Sequence, residues 1–295
     1  MKRPALSHFT VKKTRTIGFC VAALGALLMS LDPVFIRYAG VSGFDTAFLF
    51  GLFTAISIPI VLQLNDKRGL TQAVKESGWP LLFSGVLMLG SASGLVFSIM
   101  NTSIANTFVI ISGTPALAAV FSWLFLREST SRSTWLAIVS VMVGIAIVVS
   151  GSFGPGNWIG DALAVFSTVC LALMFTLQRK HQNVSRMASV GLGGFLLATV
   201  MFLFATPSAY SASTWVIMGI MGLFTAPVGR VFSMVATRYI TAAEVSMTLM
   251  IETILAPIWA FIFFSEVPAL TSIFGGLIIL ITIAFYTFST LNNEH

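Results

Sequence analysis

Ten long apolar runs, divided by short gaps, fill this 295-residue chain. Each is close to the roughly twenty residues that an α-helix needs to cross the hydrocarbon core of a bilayer. In hydrocarbon a segment must satisfy its own backbone hydrogen bonds, so such runs fold as helices. The runs are Ile17–Tyr38, Phe44–Leu64, Trp79–Met100, Thr102–Leu126, Thr134–Ser150, Trp158–Leu177, Ala188–Ala205, Thr214–Ser233, Thr241–Phe264 and Ala269–Thr290. Only 9% of the residues are charged, against about a quarter in a soluble domain. The expected fold class is therefore an all-α polytopic membrane protein with ten transmembrane helices.

The basic residues give the topology. Of sixteen lysines and arginines, fourteen fall in the N-terminal tail or in the gaps after the second, fourth, sixth and eighth runs. The other gaps hold none; Arg37 ends the first run and Arg230 lies inside the eighth. Under the positive-inside rule this alternation puts both termini in the cytoplasm of a bacterial-type inner membrane. The basic start followed by an apolar run resembles a signal peptide, but the run continues past Asp32-Pro33 to Tyr38, long for a signal core, and cleavage is not expected. The net charge of +6 sits in scattered short loops. It reads as contact with anionic lipid, not nucleic acid.

The chain carries an internal echo. Ile17-Gly18 opens the first run and Arg37 closes it; Ile159-Gly160 opens the sixth and Arg179 closes it at the same separation. Ser103-Ile104-Ala105-Asn106 leads to Glu128 as Thr241-Ala242-Ala243-Glu244 leads to Glu266. A five-plus-five duplication follows. An odd number of spans per unit inverts the second copy, which predicts two inverted five-helix repeats around a central cavity, with Glu128 inside and Glu266 outside. The expected divisions are a basic tail (1–16), a first repeat (17–150), an extracytoplasmic linker (151–157), a second repeat (158–290) and a short tail (291–295).

A charge in mid-membrane costs about 3 kcal/mol by insertion scales, so it should face a cavity or a partner. Glu252 lies near the middle of the ninth run, and Thr248 and Trp259 share its broad helical face. That stripe reads as a cavity wall in which Glu252 binds an ammonium or takes up a proton. The plainer reading has Glu252 hydrogen-bonding backbone freed by Pro257. Asp32 either lines a cavity or caps the break at Pro33. Arg230 and Glu244 sit at comparable depth and read as an ion pair acting as a gate, or Arg230 contacts a substrate carboxylate directly. Asn106 and Thr114 share a face of the fourth run and either line the cavity or bond helix to helix. Pro33, Pro115, Pro227 and Pro257 mark expected helix breaks.

With the duplication in view, the chain resembles the drug/metabolite transporter superfamily in its EamA-like ten-helix branch. The likeness spans both repeats. It rests on Thr114-Pro115 followed by Ser122-Trp123-Leu124-Phe125-Leu126-Arg127-Glu128, and on Glu252-Thr253-Ile254-Leu255-Ala256-Pro257-Ile258-Trp259 followed by Ser265-Glu266-Val267-Pro268 and Gly275-Gly276. The resemblance implies secondary transport, usually export of amino acids or related metabolites, through a cavity between the two halves. Import or exchange of another small organic solute shares the same fold. Proton coupling and facilitated diffusion both stay open.

Other classes fit poorly. No G-x-x-x-x-G-K-[ST] sequence occurs, so an ATP-driven pump is not expected. An intramembrane serine enzyme would need serine where Ala92 stands in Gly90-Ser91-Ala92-Ser93-Gly94. The three histidines lie in tails or a loop, and Cys20 and Cys170 fall singly inside runs. No metal site, cofactor or obligate protein partner is implied; the partners are a small-molecule substrate and the lipid bilayer.

Overall fold

The structure, a computed structural model, describes residues 6–65, 69–127, 132–151, 158–236, 239 and 242–293. Among them there is no strand. The helices are α1 (Leu6–Met29), α2 (Asp32–Tyr38), α3 (Gly43–Asn65), α4 (Gly69–Ser77), α5 (Trp79–Asn101), α6 (Ile104–Ile111) and α7 (Thr114–Leu126). They continue as α8 (Arg132–Ser150), α9 (Trp158–Lys180), α10 (Arg186–Phe202), α11 (Ala212–Ile220), α12 (Ala226–Ala236), α13 (Ala242–Phe264) and α14 (Leu270–Asn293). Among the described residues, six helical segments are long and apolar enough to cross a membrane: Thr16–Tyr38, Gly43–Leu64, Trp79–Asn101, Ile104–Leu126, Trp158–Lys180 and Ala212–Ser233. Thr134–Ser150, Arg186–Phe202, Met250–Phe264 and Leu270–Phe285 are shorter apolar helices. Large apolar side chains cover the outside, with Leu136 70% and Phe285 75% exposed, a surface suited to lipid and unlike that of a soluble domain.

The chain breaks its helices where proline can start a new one. Ser30 and Leu31 separate α1 from α2, and Asp32-Pro33 opens α2. Ser112 and Gly113 separate α6 from α7, and Thr114-Pro115 opens α7. Proline fits the first turn because its missing N–H would have had no helical partner there. Between α11 and α12 the helix widens into a π-turn, Met221–Thr225, directly before Ala226-Pro227. Pro257 behaves differently from expectation: α13 runs through it without interruption. Membrane helices tolerate this because neighbouring groups can satisfy the carbonyl that proline leaves free. Two further differences concern the edges. α1 begins at Leu6, inside the segment assigned to a tail, and the gap after the second run contains the short helix α4.

Packing across the two halves of the chain relies on small residues. α3 packs on α10, α5 on α9, α8 on α14 and α1 on α12. At three of these crossings glycines face each other. A Cβ on Gly51 would lie 2.8 Å from the Gly194 carbonyl oxygen; one on Gly25, 2.8 Å from that of Gly229; one on Gly144, 2.9 Å from that of Gly275. A Cβ on Gly94 would likewise lie 2.9 Å from the Leu163 carbonyl oxygen on α9. Lipid chains are as apolar as leucine, so helices gain little from hiding oily side chains from one another; close backbone approach and the dispersion contacts it allows do that work.

Gly51→Ala should therefore destabilise the protein by about 1–3 kcal/mol, the usual cost of overpacking. Gly219→Ala, whose added carbon would meet nothing nearer than 3.6 Å, should leave stability nearly unchanged. Thermal melting of the two purified variants in detergent checks the difference.

Candidate functional site

A cavity of about 370 Å³ lies between helices of both halves. Its polar groups are Asp32, Arg230, Glu252, Ser91 and Ser167, set in a wall that is otherwise mostly methionine, phenylalanine and branched aliphatic side chains. Each charged group comes from an element the sequence makes irregular or marks with proline. Asp32 is the first residue of α2, just past the break in the first span, where a negative charge suits the helix N-terminus. Arg230 follows the π-turn and Pro227 in α12. Glu252 is five residues before Pro257 in α13.

The break in the first span is held from outside. Ser30 Oγ donates to the Leu27 carbonyl at 2.7 Å and accepts from the Trp259 indole N–H at 2.9 Å. Asp32 is tied to the π-turn: Thr225 Oγ1 lies 3.0 Å from its Oδ1 and 3.2 Å from the Met221 carbonyl. Arg230 lies within electrostatic reach of both Asp32 and Glu252, and the two carboxylates oppose one another. Yet Arg230 Nη1 is buried without a hydrogen-bond partner among the described residues, and no hydrogen bond from them reaches the Glu252 carboxylate. An unpaired buried group such as Arg230 Nη1 costs about 1–3 kcal/mol and in native proteins calls for an explanation.

The remaining residues singled out from the sequence lie elsewhere. Asn106 is buried and donates to both carboxylate oxygens of Asp161 at 3.2 Å, while Ser272 donates to its side-chain oxygen. Thr114 donates to the Ile111 carbonyl across the break it follows. Thr248 is buried on α13. Trp259 braces Ser30 as described. None of these four lines the cavity. The pair proposed between Arg230 and Glu244 rests on a side chain outside the described residues, as does any role for Glu128.

Three polar clusters went unrecognised in the sequence. Arg37 forms an ion pair with Glu266 and donates to the carbonyls of Ile99, at 3.1 and 3.2 Å, and Thr102, at 2.7 Å. Glu266 in turn accepts from the backbone N–H of Ile104 at 2.7 Å, filling an open donor at the start of α6. Asp161 accepts from Thr102 Oγ1 at 2.7 Å as well as from Asn106. Asp45 accepts from Ser42, from the Thr206 backbone and from the Tyr210 hydroxyl at 2.6, 2.7 and 2.8 Å. Burial, and then the adjacent Asp45 carboxylate, push the Tyr210 hydroxyl above the usual phenol range. Asp45 and Asp161 each stand in the first turn of a long apolar helix, a placement visible in the sequence. Among the described residues no three histidine, cysteine, aspartate or glutamate side chains converge as a metal site would need.

A many-helix membrane body with a charged, amphipathic cavity between its halves defines a transporter, and the chain belongs to the EamA-like transporter family, which matches residues 16–150 and again 158–288. It is similar to the pseudopaline exporter CntI of Pseudomonas aeruginosa strain UCBPP-PA14, with 23% identity over 276 residues that cover 90% of this chain and 93% of that one. It is also similar to the S-adenosylmethionine uptake transporter of Rickettsia prowazekii, with 21% identity covering 96% and 97% of the two chains. A solved crystal structure shares the fold at a TM-score of 0.63 and 18% identity, over 94% of this chain and 98% of that one. These relatives are named as transporters, not enzymes, and this chain is a multi-pass membrane protein of that class.

Arg37→Met should cost about 3 kcal/mol, because it leaves the half-buried Glu266 carboxylate and two carbonyls without their donor. Glu266→Gln should cost less, since its amide oxygen can still accept from Ile104. Melting temperatures of both variants in detergent, compared with the parent, test the ranking.

Proposed function

We propose that this chain is a secondary transporter that exports amino acids or related small metabolites by alternating access. The observation that carries the reading is the cavity between the halves, where Asp32, Glu252 and Arg230 bring both signs of charge into an apolar wall. A small metabolite that carries both an ammonium and a carboxylate on an apolar body has matching chemistry.

The architecture behind it is ten crossings in two inverted five-helix repeats, in a bacterial inner membrane with both termini cytoplasmic. The family matches the chain twice, in two consecutive segments. Helix pairing is consistent with a two-fold exchange of those segments: α5 on α9 exchanges with α1 on α12, while α3 on α10 and α8 on α14 map onto themselves. The excess of basic residues in alternate gaps sets the orientation. Ser213→Cys should then react with a membrane-impermeant thiol reagent on intact cells, and Gln72→Cys only after permeabilisation, in a background lacking Cys20 and Cys170. Labelling of Gln72→Cys from outside overturns the orientation.

Transport itself is tested with purified protein in liposomes loaded with unlabelled amino acids, following counterflow of a labelled one. Glu252→Gln keeps the shape and removes the charge. It should lower the rate at least about tenfold, the loss expected when one charged hydrogen bond to a substrate is removed. Wild-type rates in Glu252→Gln at every pH would take Glu252 out of both binding and coupling.

Import is the second reading, favoured by the similarity to an uptake transporter. Alternating access is reversible and gradients decide its direction. Accumulation of labelled amino acids in cells lacking or overproducing the protein separates export from import.

A further inference from the structure

The charges facing the cavity do not balance. Its titratable groups, among the described residues, are Asp32 on α2, Arg230 on α12 and Glu252 on α13. With all three ionised, two carboxylates oppose one guanidinium. Among the described residues, other carboxylates near the helix ends are compensated. Asp45 and Asp161 are each held by several hydrogen-bond donors, and Glu266 by Arg37 and a backbone N–H. Here Thr225 supports Asp32 alone. Glu252 receives no hydrogen bond from the described residues, and Arg230 keeps a buried Nη1 unpartnered although both carboxylates are near. Uncompensated charge in a low-dielectric interior is costly, and an occupant that cancels it gains the corresponding attraction.

Resting on the transporter reading above, we infer that the cavity selects amphipathic occupants carrying one net positive charge over neutral zwitterions. Arg230 Nη1 offers a donor to a carboxylate or carbonyl of the occupant, and Glu252 and Asp32 take its cationic groups. Met29, Met88, Met174, Phe50, Phe108 and Phe175 belong to the apolar wall, beside branched aliphatic side chains. Polarisable thioethers and aromatic faces suit an apolar stem with a cation embedded in it, because ring faces attract positive charge. A neutral zwitterion balances the site only when a proton also rests on one carboxylate. The preference is therefore greater at alkaline than at mildly acidic pH.

The decisive probes are L-methionine and S-methyl-L-methionine, which differ by one methyl group and one positive charge. In proteoliposomes the wild-type protein should favour the sulfonium compound at least about tenfold in half-saturation, a modest share of one unit-charge interaction at a few ångströms. Asp32→Asn should remove most of that preference, and Arg230→Gln should enlarge it. Equal handling of the two probes by the wild type, or preference for methionine, overturns the inference while leaving a working transporter, and needs no variant to fold. A preference that survives unchanged in a folded, active Asp32→Asn protein overturns it too. If neither probe moves nor raises the melting temperature, the inference falls, while the transport reading is decided separately by counterflow of the other amino acids.

Discussion

Close backbone contact between helices from different halves of the chain is the constraint on which the rest depends. Where Gly51 meets Gly194, Gly25 meets Gly229 and Gly144 meets Gly275, no side chain larger than hydrogen fits without displacing backbone. These crossings lock α3 to α10, α1 to α12 and α8 to α14. Tight contact at those crossings goes with space at the centre, where methionines and phenylalanines replace glycine and the cavity remains.

Polar groups then sort by whether the protein alone can satisfy them. The Arg37–Glu266 pair, with its bonds to Ile99, Thr102 and Ile104, gathers α2, α5, α6 and the link between α13 and α14 at one end of the cavity, where Ile36 and Ile99 form part of its wall. Asp161 does the same for the start of α9, bonding Thr102 and Asn106, and Asp45 for the start of α3. Such saturated groups are fasteners. The charges at the cavity are less fully paired, and the distinction rests on hydrogen bonds that only coordinates reveal.

Much of the architecture was legible because hydrocarbon enforces a long-range pattern. Apolar runs gave helix edges within a few residues: Trp79–Met100 against α5 at Trp79–Asn101, and Trp158–Leu177 against α9 ending at Lys180. The breaks at Pro33 and Pro115 follow from proline chemistry. Pro257 does not break its helix, because proline states only that one hydrogen bond is missing and the surroundings decide whether the helix bends or closes over the gap. For the site, the rarity of intramembrane charge pointed to Asp32, Arg230 and Glu252, which do meet. Shared helical faces were a weaker guide. Thr248 and Trp259 lie on the same side of α13 as Glu252, yet the indole reaches Ser30, because a long side chain can reach well beyond its own position on the wheel. For Asn106 the sequence left a cavity wall and a helix-to-helix bond both open, and the side chain makes the bond. Its partner Asp161 lies 55 residues away, and a separation of that size leaves no local signature.

The widened turn at Met221–Thr225 fixes more than the position of Thr225. An α-helix advances about 100° per residue, so every residue on the far side of such a turn has an angular setting fixed by how many residues the turn contains. Tightening the turn into regular α-helix with all of its residues kept would swing the guanidinium of Arg230 roughly a quarter of the way around its helix, off the cavity and towards a neighbour or lipid. The width of the backbone at that single point is thus a determinant of electrostatics: the wide turn aims a charge that a regular helix of the same residues would turn away.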